Sequence, residues 1–179
     1  MAGLEIPVEP RKRTLFVFDC ANSPEGSAHV NNGRLPFLID SSGTFCRPEG
    51  KYFLTGTMPE DDPVVDWDDF EPRHEEFDRI WMNLAARSEA FEAIKLVNYW
   101  AGHYAFNTLD HNVIAGPHSE VRNFIFANGF SGHGLQQSPA VGRGIAEWII
   151  YGGFRSLDLS PIGYDRIVRG EPFLEKSVI

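Results

Sequence analysis

The run Gly129-Phe130-Ser131-Gly132-His133-Gly134-Leu135-Gln136-Gln137-Ser138-Pro139 constrains this chain more than any other stretch. Three of its first six residues are glycine, so the backbone there can take positive φ and admit a ligand at close range. An apolar, strand-like run at 123–127 precedes it and an amphipathic helical pattern follows. Ser138 is placed to cap that helix, and Pro139 suits a first turn, where a missing N–H costs nothing. The expected helix runs over 139–151 and stops at Gly152-Gly153. A helix N-terminus presented by such a loop attracts negative charge.

At 179 residues the chain is long enough for a sizeable hydrophobic core and is one domain's worth. A formal net charge of -9 argues against nucleic acid as a partner, since phosphate binding needs a surplus of Lys and Arg on one face. The one basic cluster, Arg11-Lys12-Arg13, reads as the solvated start of a strand. Cys20 and Cys46 have no metal-ligand or redox spacing, and both are expected to be reduced. Apolar runs such as 14–18 are far too short to cross a bilayer, so no transmembrane segment is expected. Residues 1–9 have neither the Arg-rich amphipathic character of a transit peptide nor the apolar core of a signal peptide.

Period-two apolar patterning predicts strands at 14–18, 35–39 and 51–56, with a turn at 40–44, arranged as an antiparallel meander. The acidic, proline-containing stretch 58–70 predicts an exposed loop. From His74 the period becomes helical, with Phe77, Ile80, Trp81, Leu84, Phe91 and Ile94 on one side. Ser88 can restart a second helix as its cap. Strand character returns at 97–107, 112–115 and 123–127, joined by turns at 108–111 and 116–118. The fold class expected is α+β, a mainly antiparallel mixed sheet with flanking helices. Residues 1–107 are expected to form a substrate-side sheet and helices, 108–155 a closing segment, and 156–179 a tail, all in one structural unit.

The succession from Trp100 through His103, Tyr104, Asp110 and Asn112, then a short strand, then Gly129-Phe130-Ser131-Gly132-His133-Gly134 with Pro139 and Gly142, resembles the C-terminal signature of the D-amino-acid-oxidase-like FAD-dependent oxidoreductases. That group includes sarcosine oxidase and dimethylglycine dehydrogenase. The resemblance extends over most of the chain and is strongest to a mitochondrial branch that serves in assembly of respiratory complex I. It implies a mitochondrial location, complex I subunits or assembly intermediates as partners, and small amine or amino-acid substrates oxidised by hydride transfer to flavin. It also implies that Phe130, Ser131, Gly132, His133, Gly134, Leu135 and Gln136 close over the isoalloxazine end of FAD, with His103 at a flavin-proximal strand position. No residue is assigned as a catalytic acid, base or nucleophile.

Three departures qualify these implications. His103 stands where covalently flavinylated members have cysteine, so thioether attachment is not expected. Gln136 stands where oxidases of the group have a loop lysine, which favours a dehydrogenase or a non-catalytic binding or assembly module over an oxidase. No G-x-G-x-x-G strand–turn–helix unit occurs in the chain, and that unit is what seats the pyrophosphate on a helix N-terminus. The chain is therefore expected to be the C-terminal part of a longer flavoprotein and to hold FAD only together with the dinucleotide-binding half. A metal site built from His103, His111, His118 and His133 is the competing reading, and Ser131, His133 and Asp110 compose a triad only on paper.

Overall fold

The computed structural model describes residues 3–22, 24 and 35–176. It divides into two compact units, one drawn from residues 1–10 and 104–178, the other from 11–103. Strands β1 (Val8–Cys20) and β5 (Ile94–Asn107) each run through both.

The 11–103 unit is built on a five-stranded sheet in the order β2-β3-β4-β1-β5, with β2 at Leu38–Ile39, β3 at Phe45–Glu49 and β4 at Tyr52–Gly56. The pairs β2–β3, β3–β4 and β1–β4 are antiparallel. The sheet is thus mainly antiparallel, as expected, with one correction: β1 lies beside β4 rather than beside β2, so only β2-β3-β4 meander. Residues 35–37 lie outside the strand assigned to them. Lys12, Thr14, Phe16 and Phe18 alternate inward along β1, as the period of two requires, and Val17 on the opposite face is buried too.

Helix α1 (Glu76–Ala85) covers the sheet with Ile80 and Leu84, and a single 3-10 stretch (Glu89–Ala93) adds Phe91. Ser88 caps the latter, its side chain accepting from the Ala90 N–H, as its position before Glu89 predicts. These residues join Phe16, Phe18, Cys46 and Phe53 in one core. Phe18 and Phe53 stack at 5.4 Å while Phe91 meets both edge-on at 6.0 Å, the offset and T-shaped geometries that ring quadrupoles favour.

The basic cluster is not solvated. Lys12 is 6% exposed, and its Nζ lies 2.8 Å from both carboxylate oxygens of Asp69. Arg13 grips Asp62 bidentately at 2.6 and 2.9 Å, and Arg11 donates to the Asp62 carbonyl. The reason is the acidic 58–70 stretch, which folds back along β1 and supplies the counter-charges; an isolated bridge between Arg11 and Val64 fixes its register. Burying cations is tolerable only with such pairing.

In the other unit a two-stranded antiparallel sheet, β6 (Ile114–Pro117) with β7 (Ile125–Asn128), packs under helix α2 (Gly134–Tyr151). Val113, Ala115, Val141 and Leu159 form its core. Gly116 and Pro117 belong to β6 rather than to a turn; in a two-stranded sheet proline sits at an edge without breaking a ladder. The helix also begins five residues earlier than predicted. Pro139 lies inside it and removes the N–H that would reach the Leu135 carbonyl. The Ser138 hydroxyl donates to that carbonyl instead, at 3.1 Å, so Ser138 repairs the helix rather than capping it. Gly152 ends α2 in the left-handed conformation, its N–H on the Trp148 carbonyl. Helix α3 (Asp165–Arg169) lies in the same unit.

Candidate functional site

The glycine-rich loop connects β7 to α2 with a backbone that needs its residue types. Gly129, Ser131 and Gly132 all have positive φ, at 70°, 45° and 93°. Gly129 approaches Val8 so closely that a Cβ would stand 2.9 Å from its Cγ2, and at Gly132 a Cβ would stand 2.0 Å from the Tyr104 hydroxyl. Both glycines are therefore required by contact as well as by dihedral angle. Ser131 bears the left-handed conformation because its polar atoms are engaged. Its N–H donates to the Ala105 carbonyl at 3.1 Å, and its hydroxyl accepts the Asn107 N–H at 2.9 Å.

Asn107, fully buried, extends this polar core. Its side-chain N–H donates to the Asn112 carbonyl at 2.6 Å, and its side-chain oxygen accepts the Leu109 N–H at 3.0 Å. Asp110, also fully buried, meets Arg166 of α3 at 2.6 and 3.1 Å. Burial pushes the Asp110 carboxyl up, but the Arg166 hydrogen bond, the Phe173 N–H, the guanidinium charge and the Asn112 N–H together bring it below its ordinary value.

Helix α2 opens at His133, whose side chain makes no capping hydrogen bond. The first turn of a helix leaves N–H groups without intrahelical partners and carries the positive end of the dipole. Leu135, in that turn, is 87% exposed. Phe130, Ser131, Gly132, His133, Gly134, Leu135 and Gln136 thus lie together in one loop and helix start. His103 belongs to the other unit, where its Nε2 lies 2.8 Å from the Asp69 carbonyl and its ring stacks on Phe70 at 4.2 Å.

The remaining histidines have separate surroundings. His111 has positive φ and lies against Phe106. His118 accepts the Glu120 and Val121 N–H groups at Nδ1 and stacks on Tyr164. Among the described residues no three His, Cys, Asp or Glu side chains are grouped as metal ligands. The paper triad is also broken, because Asp110 is committed to Arg166 and Ser131 to the Asn107 N–H. Asn107 and Tyr104, which meet Ser131 and Gly132, and Arg166, which meets Asp110 and Asn112, carry no local sequence signal.

One unit holds an antiparallel sheet, and the other holds a two-stranded sheet whose second strand leads through a positive-φ loop into a helix N-terminus. The chain belongs to the FAD dependent oxidoreductase family, whose model matches residues 1–148. It is 42% identical over its whole length to the FAD-dependent oxidoreductase domain-containing protein 1 of Xenopus laevis, covering 35% of that protein. It is 26% identical to the mitochondrial dimethylglycine dehydrogenase of Homo sapiens across 93% of the chain and 20% of the relative. L-proline dehydrogenase from P. horikoshii shares the fold with a TM-score of 0.78 at 24% identity, over 97% of this chain and 43% of the other. The chain spans about a third of the length of the family relatives from frog, cow and mouse.

Proposed function

We propose that the chain is the C-terminal, substrate-side and flavin-closing part of an FAD-dependent oxidoreductase that oxidises the C–N bond of a small amine or amino acid. The observation that carries this is the 129–136 segment. Its positive-φ backbone and uncapped helix start offer N–H donors and a dipole, which suit the acceptor-rich N1–C2=O edge of an isoalloxazine. Exposed Leu135 offers an apolar contact beside them. When bound, the flavin would accept hydride at N5 from the carbon next to the substrate nitrogen. Phe130, Ser131, Gly132, His133, Gly134, Leu135 and Gln136 would orient that end of the cofactor and exclude water from it. N–H groups at the start of α2 would stabilise negative charge on the reduced ring. His103 is assigned a flavin-proximal place on β5 by the family resemblance alone. The domain-level reading remains that of 1–107 as substrate side, 108–155 as closing segment and 156–179 as tail.

The test is a polypeptide joining this chain to the part of the Xenopus laevis relative that it does not match. It is expected to purify with FAD, and the flavin absorbance is expected to bleach anaerobically with at least one of glycine, L-proline and dimethylglycine. No bound FAD would overturn the reading. FAD without bleaching by any amine or amino acid would favour a non-catalytic binding or assembly module, the reading that Gln136 in place of a loop lysine supports.

We also propose a mitochondrial location and a role in complex I assembly. The support is the resemblance to that branch of the family, together with one relative whose name places it in mitochondria. Blue-native electrophoresis of mitochondria lacking the protein should show reduced complex I, restored on re-expression; unchanged complex I would refute the role.

A further inference from the structure

We infer that Arg166, which lies beyond the residues matched by the family model, is a positioning residue that holds the glycine-rich loop in its flavin-facing geometry through Asn112, Asn107 and Ser131. The inference rests on the flavin reading above for its consequence, though not for its geometry. Arg166 is 6% exposed on a helix only five residues long, so packing of that helix alone does not explain its burial. Its guanidinium is saturated. Nε and Nη2 meet the two oxygens of Asp110, Nη1 donates to the carbonyls of Ile162 and Gly163, and Nη2 also donates to those of Asn112 and Val113 at 3.1 and 2.9 Å.

The Asn112 carbonyl is the junction. It accepts from Arg166 on one side and from the Asn107 side chain on the other. Asn107 in turn donates its backbone N–H to the Ser131 hydroxyl, and Ser131 is the one non-glycine residue of the loop held at positive φ. A continuous polar path therefore runs from α3 to the strained residue of the loop, and all of it is buried. Such chains polarise one another in a low dielectric. A planar fork of five N–H donors reaches the two Asp110 oxygens and four carbonyls with Nη2 sharing its two hydrogens among three acceptors; a lysine ammonium has three donors on one atom.

The rival explanation is that the hub only anchors the tail, since Asp110 also accepts from the Phe173 and Glu175 N–H groups. Hydrogen exchange of the full chain, read by mass spectrometry over a 129–137 peptide, separates the two. Arg166→Lys is expected to accelerate exchange there at least tenfold. Phe173→Pro, which removes the N–H by which the tail meets the Asp110 carboxylate and none of the bonds of the path, should leave it within twofold. Asp110→Asn provides the same comparison if the lysine variant does not fold. Unchanged loop exchange in the network variants, or an equal rise in Phe173→Pro, would overturn the inference.

In the FAD-loaded polypeptide, Arg166→Lys should also lower the flavin two-electron potential, by about 30 mV for each tenfold loss of preference for the reduced ring. FAD bound with loop exchange and potential both unmoved overturns the positioning role. Accelerated loop exchange in a protein that never takes up FAD sinks the flavin reading and leaves the lock standing.

Discussion

Replacing Gly132 with alanine tests whether the loop is built as described. Two costs are set by the structure. A φ of 93° is one that side chains rarely adopt, and holding a non-glycine residue in such a region costs about 1–3 kcal/mol. The new Cβ would also lie 2.0 Å from the Tyr104 hydroxyl and 2.5 Å from the ring carbon bearing it, and overpacking of this kind costs about 1–3 kcal/mol. Together they predict a loss of about 2–6 kcal/mol. In a chain of this size that lowers Tm by about 4–24 °C. Two other glycines serve as internal controls. Gly152 has a φ of 70° but open space around it, so Gly152→Ala should lose only the dihedral term, about 1–2 kcal/mol. Gly142 lies inside α2 with nothing near its Cβ position and no positive φ, so alanine there should add about 1 kcal/mol. Thermal unfolding followed by circular dichroism gives all three, and Tyr104→Ala combined with Gly132→Ala should recover the contact term as a coupling energy of about 1–3 kcal/mol. A Gly132→Ala protein as stable as wild type, or one not rescued by removing the tyrosine, would refute the loop geometry.

Asp69→Asn should lower Tm more than Lys12→Met. The first strands a cation whose side chain is 7% exposed, whereas the second leaves a carboxylate that is 36% exposed and free to turn to water; equal losses in thermal melts would argue against the clasp. The native Asp110 value lies below the ordinary carboxylate range near 3.9. Its stabilising contribution is therefore fully present above about pH 4 and is lost as pH falls through the lower native value. Urea unfolding should accordingly show Asp110→Asn less stable than wild type at pH 7, with the gap closing in strong acid. Burial pushes the Cys46 thiol up to about 12, so Ellman's reagent at pH 8 should reach it only after unfolding; rapid native reaction would contradict its place in the core.

Hydrophobic periodicity made the elements legible, and their partners were not. Strand β3 (Phe45–Glu49) did not follow from spacing, whereas the run at 14–18, strand β4 within 51–56, and the Ile80 and Leu84 stripe do. So do the Ser88 cap and the Gly152 stop, which depend on neighbours within a few residues. The start of α2 was misplaced because Ser138-Pro139 has the composition of a helix entrance. Only the hydroxyl bridging to the Leu135 carbonyl makes an interior proline tolerable. In the same way Arg11-Lys12-Arg13 reads as surface until Asp62 and Asp69 are brought against it from 49 and 57 residues away. Of the candidate site, the loop and its glycines were visible in the sequence, while Tyr104, Asn107 and Arg166 were not, since each acts through a contact that no local pattern encodes.

Both units thus restrain a surface segment with charge pairs distant in sequence: the acidic stretch against β1 in one, and α3 against the 107–113 turn in the other. Stability alone does not account for this choice. A buried ion pair gains little over well-packed apolar residues of the same volume once desolvation is counted. What apolar side chains cannot do is fix direction, because the hydrophobic effect depends on area and not on orientation. The Asn112 carbonyl must face both Arg166 and Asn107 for either bond to exist, and the Asn107 N–H must then face Ser131. Slippage of one member would leave a buried donor or acceptor unsatisfied, at about 1–3 kcal/mol each. A polar path of this kind gives the loop one geometry where an apolar core would tolerate several, and under the proposed flavin role, in which the loop presents N–H groups to a planar cofactor, that single geometry matters more than additional stability.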